Sequence, residues 1–154
     1  NIKPDYGIIL GARILSKKVI DCFPGGIFNF HRGLLPENRG LDTIKWAVFN
    51  NIPQGITTHL IDENIDVGMK VYKESNEVDR QDTIFDVDSK LFYLEMKHLH
   101  TILNDEFKIP EPKSLKSSYK SQKAVPDDID NKVYEDFDLY KKNYSEILKK
   151  FNLD

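Results

Sequence analysis

The stretch Phe28-Asn29-Phe30-His31-Arg32-Gly33-Leu34-Leu35-Pro36 decides the fold. Residues 27–31 have β character, and the chain leaves that strand at Asn29-Phe30-His31. Asn29 and His31, two residues apart on an extended segment, point to the same side. Upstream, residues 6–10 are an apolar run bounded by Pro4-Asp5 and Gly11, consistent with a strand buried on both faces. Ser16 can cap a short helix over 16–23 before Pro24-Gly25-Gly26 breaks it. Strand, helix and strand make a βαβ unit with parallel pairing and a right-handed crossover. Asn29 and His31 then sit near the carboxyl end of a strand, the edge along which open α/β sheets bind ligands.

Downstream, residues 34–40 read as a loop punctuated by Pro36 and Gly40. Residues 41–51 read as a helix with Leu41, Ile44, Ala47 and Val48 on one face. Residues 56–61 and 69–72 form a strand pair around the loop that carries Asp66. The spacing predicts a long helix over 82–104, with a Thr83-x-x-Asp86 capping box and the stripe Ile84, Val87, Leu91, Leu94 and Ile102. Residues 114–130 are polar and read as an irregular arm. A last helix spans 131–151, with Val133, Phe137, Tyr140, Tyr144, Ile147 and Phe151 along one side. Packing of that stripe on the main domain is the favoured reading, and a homodimer contact is the sharper alternative. The domain division is 1–112 and 113–154.

With 154 residues, 40% hydrophobic and 31% charged, the chain has the length and composition of one globular domain. A net charge of −3 offers no long-range attraction to nucleic acid. Cys22, the one cysteine, can form no intramolecular disulfide and reads as a buried packing residue in a reducing compartment. No apolar run approaches the ~18 residues of a membrane span, and the first residues lack the apolar core of a signal peptide. A cytoplasmic location and no membrane partner are the expectations.

Asn29, His31 and Asp66 supply an amide donor, an imidazole and a carboxylate. Those groups can stabilise an oxyanion and move a proton, which acyl transfer to an amine requires. Singly, each has a blander reading: a histidine near a strand end is often structural, and Asp-x-Gly is often a turn. Other candidates fall away. His98 and His100 diverge by about 200° on one helix and cannot chelate one metal from it. Asp127, Asp128 and Asp130 lack the Gly and Glu of a calcium loop. Cys22 has no local activating partner. No metal site is expected.

The order Asn29-x-His31, Leu34-Leu35-Pro36, Arg39-Gly40, Gly55-Ile56-Thr57-Thr58-His59 and Asp66-x-Gly68 resembles the formyltransferase superfamily, over about residues 4–72. The resemblance implies a Rossmann-like α/β fold, a mostly parallel sheet flanked by helices, with the helical C-terminal tail added. It implies 10-formyltetrahydrofolate as donor, with Asn29 and His31 stabilising the oxyanion and Asp66 assisting proton transfer, and folate-lining loops matching Arg13, Ile14 and Leu15 and Ile61, Asp62 and Glu63. His59 would support the site or orient Asp66, and Thr57 would support the site. By the same alignment the strand 6–10 falls midway through the family's catalytic domain, so the N-terminal βα units are expected to be missing.

Two positions depart from the pattern. Arg32 and Gly33 stand where the family commonly has Pro and Ser. Arg32 is a cation on the acceptor side that suits a phosphate, or else a solvated side chain. A Trp46-Ala47 pair after Arg39-Gly40 looks like the sugar N-formyltransferases, so a nucleotide-linked amino sugar is the expected acceptor. The alternatives are formyltetrahydrofolate hydrolysis, glycinamide ribonucleotide or methionyl-tRNA as acceptor, and a non-catalytic fragment of the fold.

Overall fold

A computed structural model describes residues 3–11, 14–61, 68–107, 113–115 and 119–153. The elements in chain order are β1 (Tyr6–Ile9), α1 (Lys17–Ile20), β2 (Gly26–His31), α2 (Thr43–Asn50) and β3 (Gly55–Leu60). They continue with β4 (Gly68–Ser75), α3 (Ile84–Asn104), β5 (Lys113–Leu115), α4 (Asp127–Lys142) and α5 (Tyr144–Lys150). The strands form one sheet in the order β1-β2-β3-β4-β5.

The α/β class and the flanking helices stand as expected, and the sheet is mixed. β1 and β2 are parallel, because α1 carries the chain back across the sheet between them. The β2–β3, β3–β4 and β4–β5 pairs are antiparallel. The connection through α2 leaves β2 and enters β3 at the same edge, which forces opposite directions.

β2 divides its side chains between two environments. Phe28 and Phe30 join Ile56 of β3 and Leu94 and Ile102 of α3 in one buried cluster. A second cluster gathers Val48, Val87, Leu91, Val133, Phe137, Tyr140, Tyr144 and Ile147. α3 serves both, since 21 residues span roughly 30 Å. Its start carries the expected capping box: Asp86 N–H donates to Thr83 Oγ1 at 3.2 Å and Thr83 N–H to Asp86 Oδ2 at 2.8 Å.

The C-terminal stripe packs into the second cluster, as its favoured reading requires, but on two helices rather than one. The break falls at Asn143, where φ and ψ are −98° and 5°. The Tyr140 hydroxyl donates to the Ile52 carbonyl at 2.7 Å, and the Tyr144 hydroxyl to that of Asn76 at 2.7 Å. α4 starts earlier than expected, at Asp127, with Asp127, Asp128 and Asp130 in its first turn, where the helix dipole favours acids.

The described part of the polar arm lies against the loop that follows β2. β5 extends the sheet, and Gln122 bridges Gly40. Arg39 Nη1 donates to the Tyr119 carbonyl at 2.7 Å, Trp46 Nε1 to that of Lys123 at 2.8 Å, and Val125 N–H to Asp42 Oδ2 at 2.8 Å. Gly40 permits this approach: its φ is +98°, and a Cβ there would lie 2.1 Å from the Gln122 oxygen. Cys22, expected to be buried, is exposed. The short helix α1 buries none of its residues and leaves the following turn on the surface. Among the described residues, no helix is long and apolar enough to cross a membrane.

Candidate functional site

The face of β2 opposite Phe28 and Phe30 carries Asn29 and His31. Antiparallel register sets Asn29 beside His59 and His31 beside Thr57. Paired residues of neighbouring strands share a face, so these four side chains form one polar cluster. Thr57 and His59 are fully buried, His31 is 8% exposed and Asn29 is half-buried.

Each group is oriented by a hydrogen bond. Asn29 Nδ2 lies 3.1 Å from His59 Nε2. An amide nitrogen only donates, so His59 Nε2 accepts and the neutral ring carries its proton on Nδ1. Asn29 Nδ2 carries a second hydrogen beyond this contact. His31 Nε2 lies 2.8 Å from the Asn38 carbonyl oxygen. A carbonyl only accepts, so Nε2 holds a hydrogen and proton exchange falls to Nδ1.

The loop after His31 is stitched to β3. Thr57 Oγ1 donates to the Gly33 carbonyl at 2.8 Å and accepts from Leu35 N–H at 2.9 Å. Leu34 and Leu35 are 1% exposed and anchor the turn, and the Leu35–Pro36 bond is cis. Asn38 N–H donates to the Leu34 carbonyl at 2.9 Å, and its Nδ2 to that of Thr43 at 2.9 Å, which holds the carbonyl that meets His31.

Behind β3, Thr58 points the other way and meets α3. Its Oγ1 lies 2.9 Å from His98 Nδ1, and His98 Nε2 lies 3.2 Å from Glu74 Oε2. Burial lowers the pKa of His98 below its ordinary value, against the opposing pull of Glu74. Burial pushes the Glu74 carboxyl up, but hydrogen bonds and charge from Lys97 and His98 outweigh it and leave a lowered pKa.

Arg32 neither meets solvent freely nor stands ready for a phosphate. Its Nε and Nη2 donate to Glu95 Oε2 at 3.0 and 2.7 Å, and Nη1 to Asp88 Oδ1 at 2.7 Å. One cation between two carboxylates leaves no net positive charge to attract an anion. Burial works to lower the guanidinium pKa, and the two acids more than reverse it. The signal for this pairing was absent from the local sequence, because Glu95 lies 63 residues away.

Of the other candidates, Ile14 is 72% exposed and Leu15 half-buried, in the connection that leaves β1 at the edge where β2 ends. Ile61 lies at the other end of β2, its N–H donating to the Ile27 carbonyl at 3.0 Å. Arg13, Asp62, Glu63 and Asp66 lie outside the described residues. A cleft of about 640 Å³ opens beside Arg32, between Thr43, Ile44 and Lys45 of α2 and Ile84 and Phe85 of α3. None of Asn29, His31, Thr57 and His59 lines it.

A family model described as "Formyl transferase" matches residues 1–103. A methionyl-tRNA formyltransferase of Halothermothrix orenii is 34% identical over 137 residues, which are 88% of this chain and 43% of that protein. The chain thus spans less than half the length of that curated relative. A solved 4-N formyltransferase of Francisella tularensis superposes with a TM-score of 0.67 and 26% identity, over 77% of this chain and 49% of that one. The formyltransferase PseJ of Anoxybacillus kamchatkensis, solved with tetrahydrofolate and a UDP-linked formamido sugar, matches with a TM-score of 0.72 over 92% of this chain and 74% of that one. At 20% identity, this last likeness is one of fold alone.

Proposed function

This chain belongs to the formyl transferase family, and from that premise we propose that it transfers a formyl group from 10-formyltetrahydrofolate to a primary amine. The observation that carries the reading is the pair Asn29 and His31, side by side on one face of β2 and each oriented by its own hydrogen bond. In the reaction a neutral amine nitrogen bonds to the formyl carbon while the carbonyl π pair moves onto oxygen. Asn29 Nδ2–H donates to that oxygen, where a well-placed donor is worth about 10²–10³ in rate. The proton shed by the amine passes to His31 Nδ1, with Asp66 assisting, and the Asn38 carbonyl stabilises the imidazolium through Nε2–H. The bond from the formyl carbon to the folate nitrogen then breaks. That nitrogen takes the proton from His31, which releases tetrahydrofolate and an N-formyl product.

The residues present suit a folate. Leu10 and Ile14 are 47% and 72% exposed in the connection after β1, apolar surface of the kind a flat pterin ring covers. Arg13, Ile14 and Leu15 on one loop, with Ile61, Asp62 and Glu63 on the other, are the proposed folate-lining residues. Thr57 and His59 support the catalytic pair.

For the acceptor we propose the amino group of a nucleotide-linked amino sugar. Trp46-Ala47 after Arg39-Gly40 supports it, and so does the likeness to the Francisella 4-N formyltransferase. Methionyl-tRNA is the second reading, favoured by the 34% identity to the Halothermothrix protein. The test incubates the intact protein with 10-formyltetrahydrofolate and either nucleotide-linked amino sugars or methionyl-tRNA. Formylated sugar supports the first reading and formylated tRNA the second. Tetrahydrofolate release without an acceptor overturns both in favour of hydrolysis. Unchanged turnover in His31→Ala removes His31 from the mechanism.

A further inference from the structure

The chain leaving β2 turns within three residues. Gly33 N–H donates to the His31 carbonyl at 2.8 Å, which puts Arg32 at the centre of a γ-type turn. Both ends of Arg32 are held. Its carbonyl accepts from Thr43 Oγ1 at the start of α2. Its guanidinium reaches α3, where Glu95 takes two N–H groups and Asp88 a third. Asp88 and Glu95 are two helical turns apart on one face, and the guanidinium carbon lies 5.7 Å from the centre of the Phe92 ring between them. The Glu95 side chain is only 3% exposed. The neighbouring α3 residues Leu91 and Leu94 belong to the two apolar clusters, so the helix is a fixed reference.

The space around the turn is tight. A Cβ on Gly33 would lie 2.5 Å from the Asn38 oxygen and 2.8 Å from His31 Nε2, the two atoms whose hydrogen bond orients the imidazole. A small shift of the turn at Arg32 therefore moves that pair of atoms against each other.

We propose that Arg32 is a positioning residue, whose ion pairs with Glu95 and Asp88 hold the turn after β2. Through that turn they keep His31 with Nε2–H on the Asn38 carbonyl and Nδ1 turned to the reaction. The inference rests on the reading that His31 moves the proton in formyl transfer. The role is one of orientation, since the Arg32 guanidinium is engaged by Glu95 and Asp88 of α3.

The test uses the intact protein and two variants. Arg32→Lys keeps the charge and loses the planar fork. Arg32→Met combined with Glu95→Met removes the pair without stranding a buried carboxylate. Nitrogen NMR of the His31 ring reads its tautomer. The wild type is expected to hold the Nε2–H form, and both variants to mix the two forms. In turnover, kcat should fall by roughly ten- to a hundredfold with KM unchanged, less for Lys than for the double variant, as a small misplacement of a catalytic group implies. An unchanged tautomer and kcat in the double variant overturns the proposal. If that variant does not fold, an unchanged tautomer in Arg32→Lys overturns it instead. Adding Arg32→Met and Glu95→Met together to His31→Ala should lower turnover no further, because Arg32 acts through His31. If His31→Ala itself keeps full turnover, the functional reading fails, and the tautomer alone decides whether Arg32 positions the ring.

Discussion

Asn29 and His59 face each other across β2 and β3, with the amide nitrogen of one 3.1 Å from Nε2 of the other. The contact fixes both the tautomer of a fully buried histidine and the direction in which the amide presents its second hydrogen. It joins residues 30 apart in sequence, which the antiparallel register alone brings together.

Asn29→Asp keeps the shape of the side chain and replaces its donor by a carboxylate. The substrate oxygen then meets negative charge where it had a hydrogen bond. Turnover should drop by about 10²–10³-fold with the circular dichroism spectrum unchanged. A drop below about tenfold would remove the amide from the role assigned to it.

His98 and Glu74 make folding sensitive to acid in one direction. The folded state holds the His98 pKa below its ordinary 6.5, so the unfolded chain takes up the proton first. Stability is therefore fully present above about pH 6.5 and declines as pH falls towards the folded pKa. Glu74, whose pKa is held below 4.5, adds a further decline beneath that value as it is protonated. Urea midpoints measured from pH 7.5 to 4 should fall steadily, and His98→Gln should flatten the upper part of the curve. A rise in stability between pH 6.5 and 5 would contradict the buried neutral imidazole.

Tyr144 ties α5 to the sheet with a hydroxyl that accepts from Gln54 N–H at 2.9 Å and donates to the Asn76 carbonyl at 2.7 Å. Tyr144→Phe leaves both backbone groups buried without that partner, so stability should fall by about 1–3 kcal/mol. Burial also raises the phenol above its ordinary pKa of 10, so Tyr144→Phe should leave the tyrosinate absorbance formed around pH 10 unchanged. Chemical denaturation and an ultraviolet pH titration check the two statements.

Gly40→Ala adds a Cβ at a φ of +98°, facing backbone atoms of Gln122. The arm over residues 119–125 should detach from the loop after β2 at a cost above roughly 1 kcal/mol. Trp46 is the one tryptophan, and its indole donates to the Lys123 carbonyl at 2.8 Å, so its emission reports the change directly. A red shift is the expected outcome, and unaltered emission would show the arm still docked.

Much of the fold was legible because it is local. Pro24-Gly25-Gly26 marked the break between α1 and β2, Thr83 and Asp86 marked the start of α3, and the period of Val133, Phe137 and Tyr140 marked a packed helix. Cys22 misled because an apolar neighbourhood in sequence does not bury a one-turn helix on the surface. The aspartates at 127, 128 and 130 read as the end of the irregular arm because a helix start and a solvated loop favour the same residues.

The sequence by itself determined that Asn29 and His31 share one face of a strand end, since the two-residue period of extended chain leaves no other arrangement. It also carried the family's order of motifs, because those residues sit in short contiguous runs. The tertiary structure decided what each group faces. His59 lies on Asn29, the Asn38 carbonyl on His31, and Glu95 and Asp88 on Arg32, where the sequence left a phosphate contact or a solvated side chain. Those pairings depend on strand direction, register and the placement of α3. They are settled by burial of two apolar clusters drawn from the whole chain, so no short window of residues contains them.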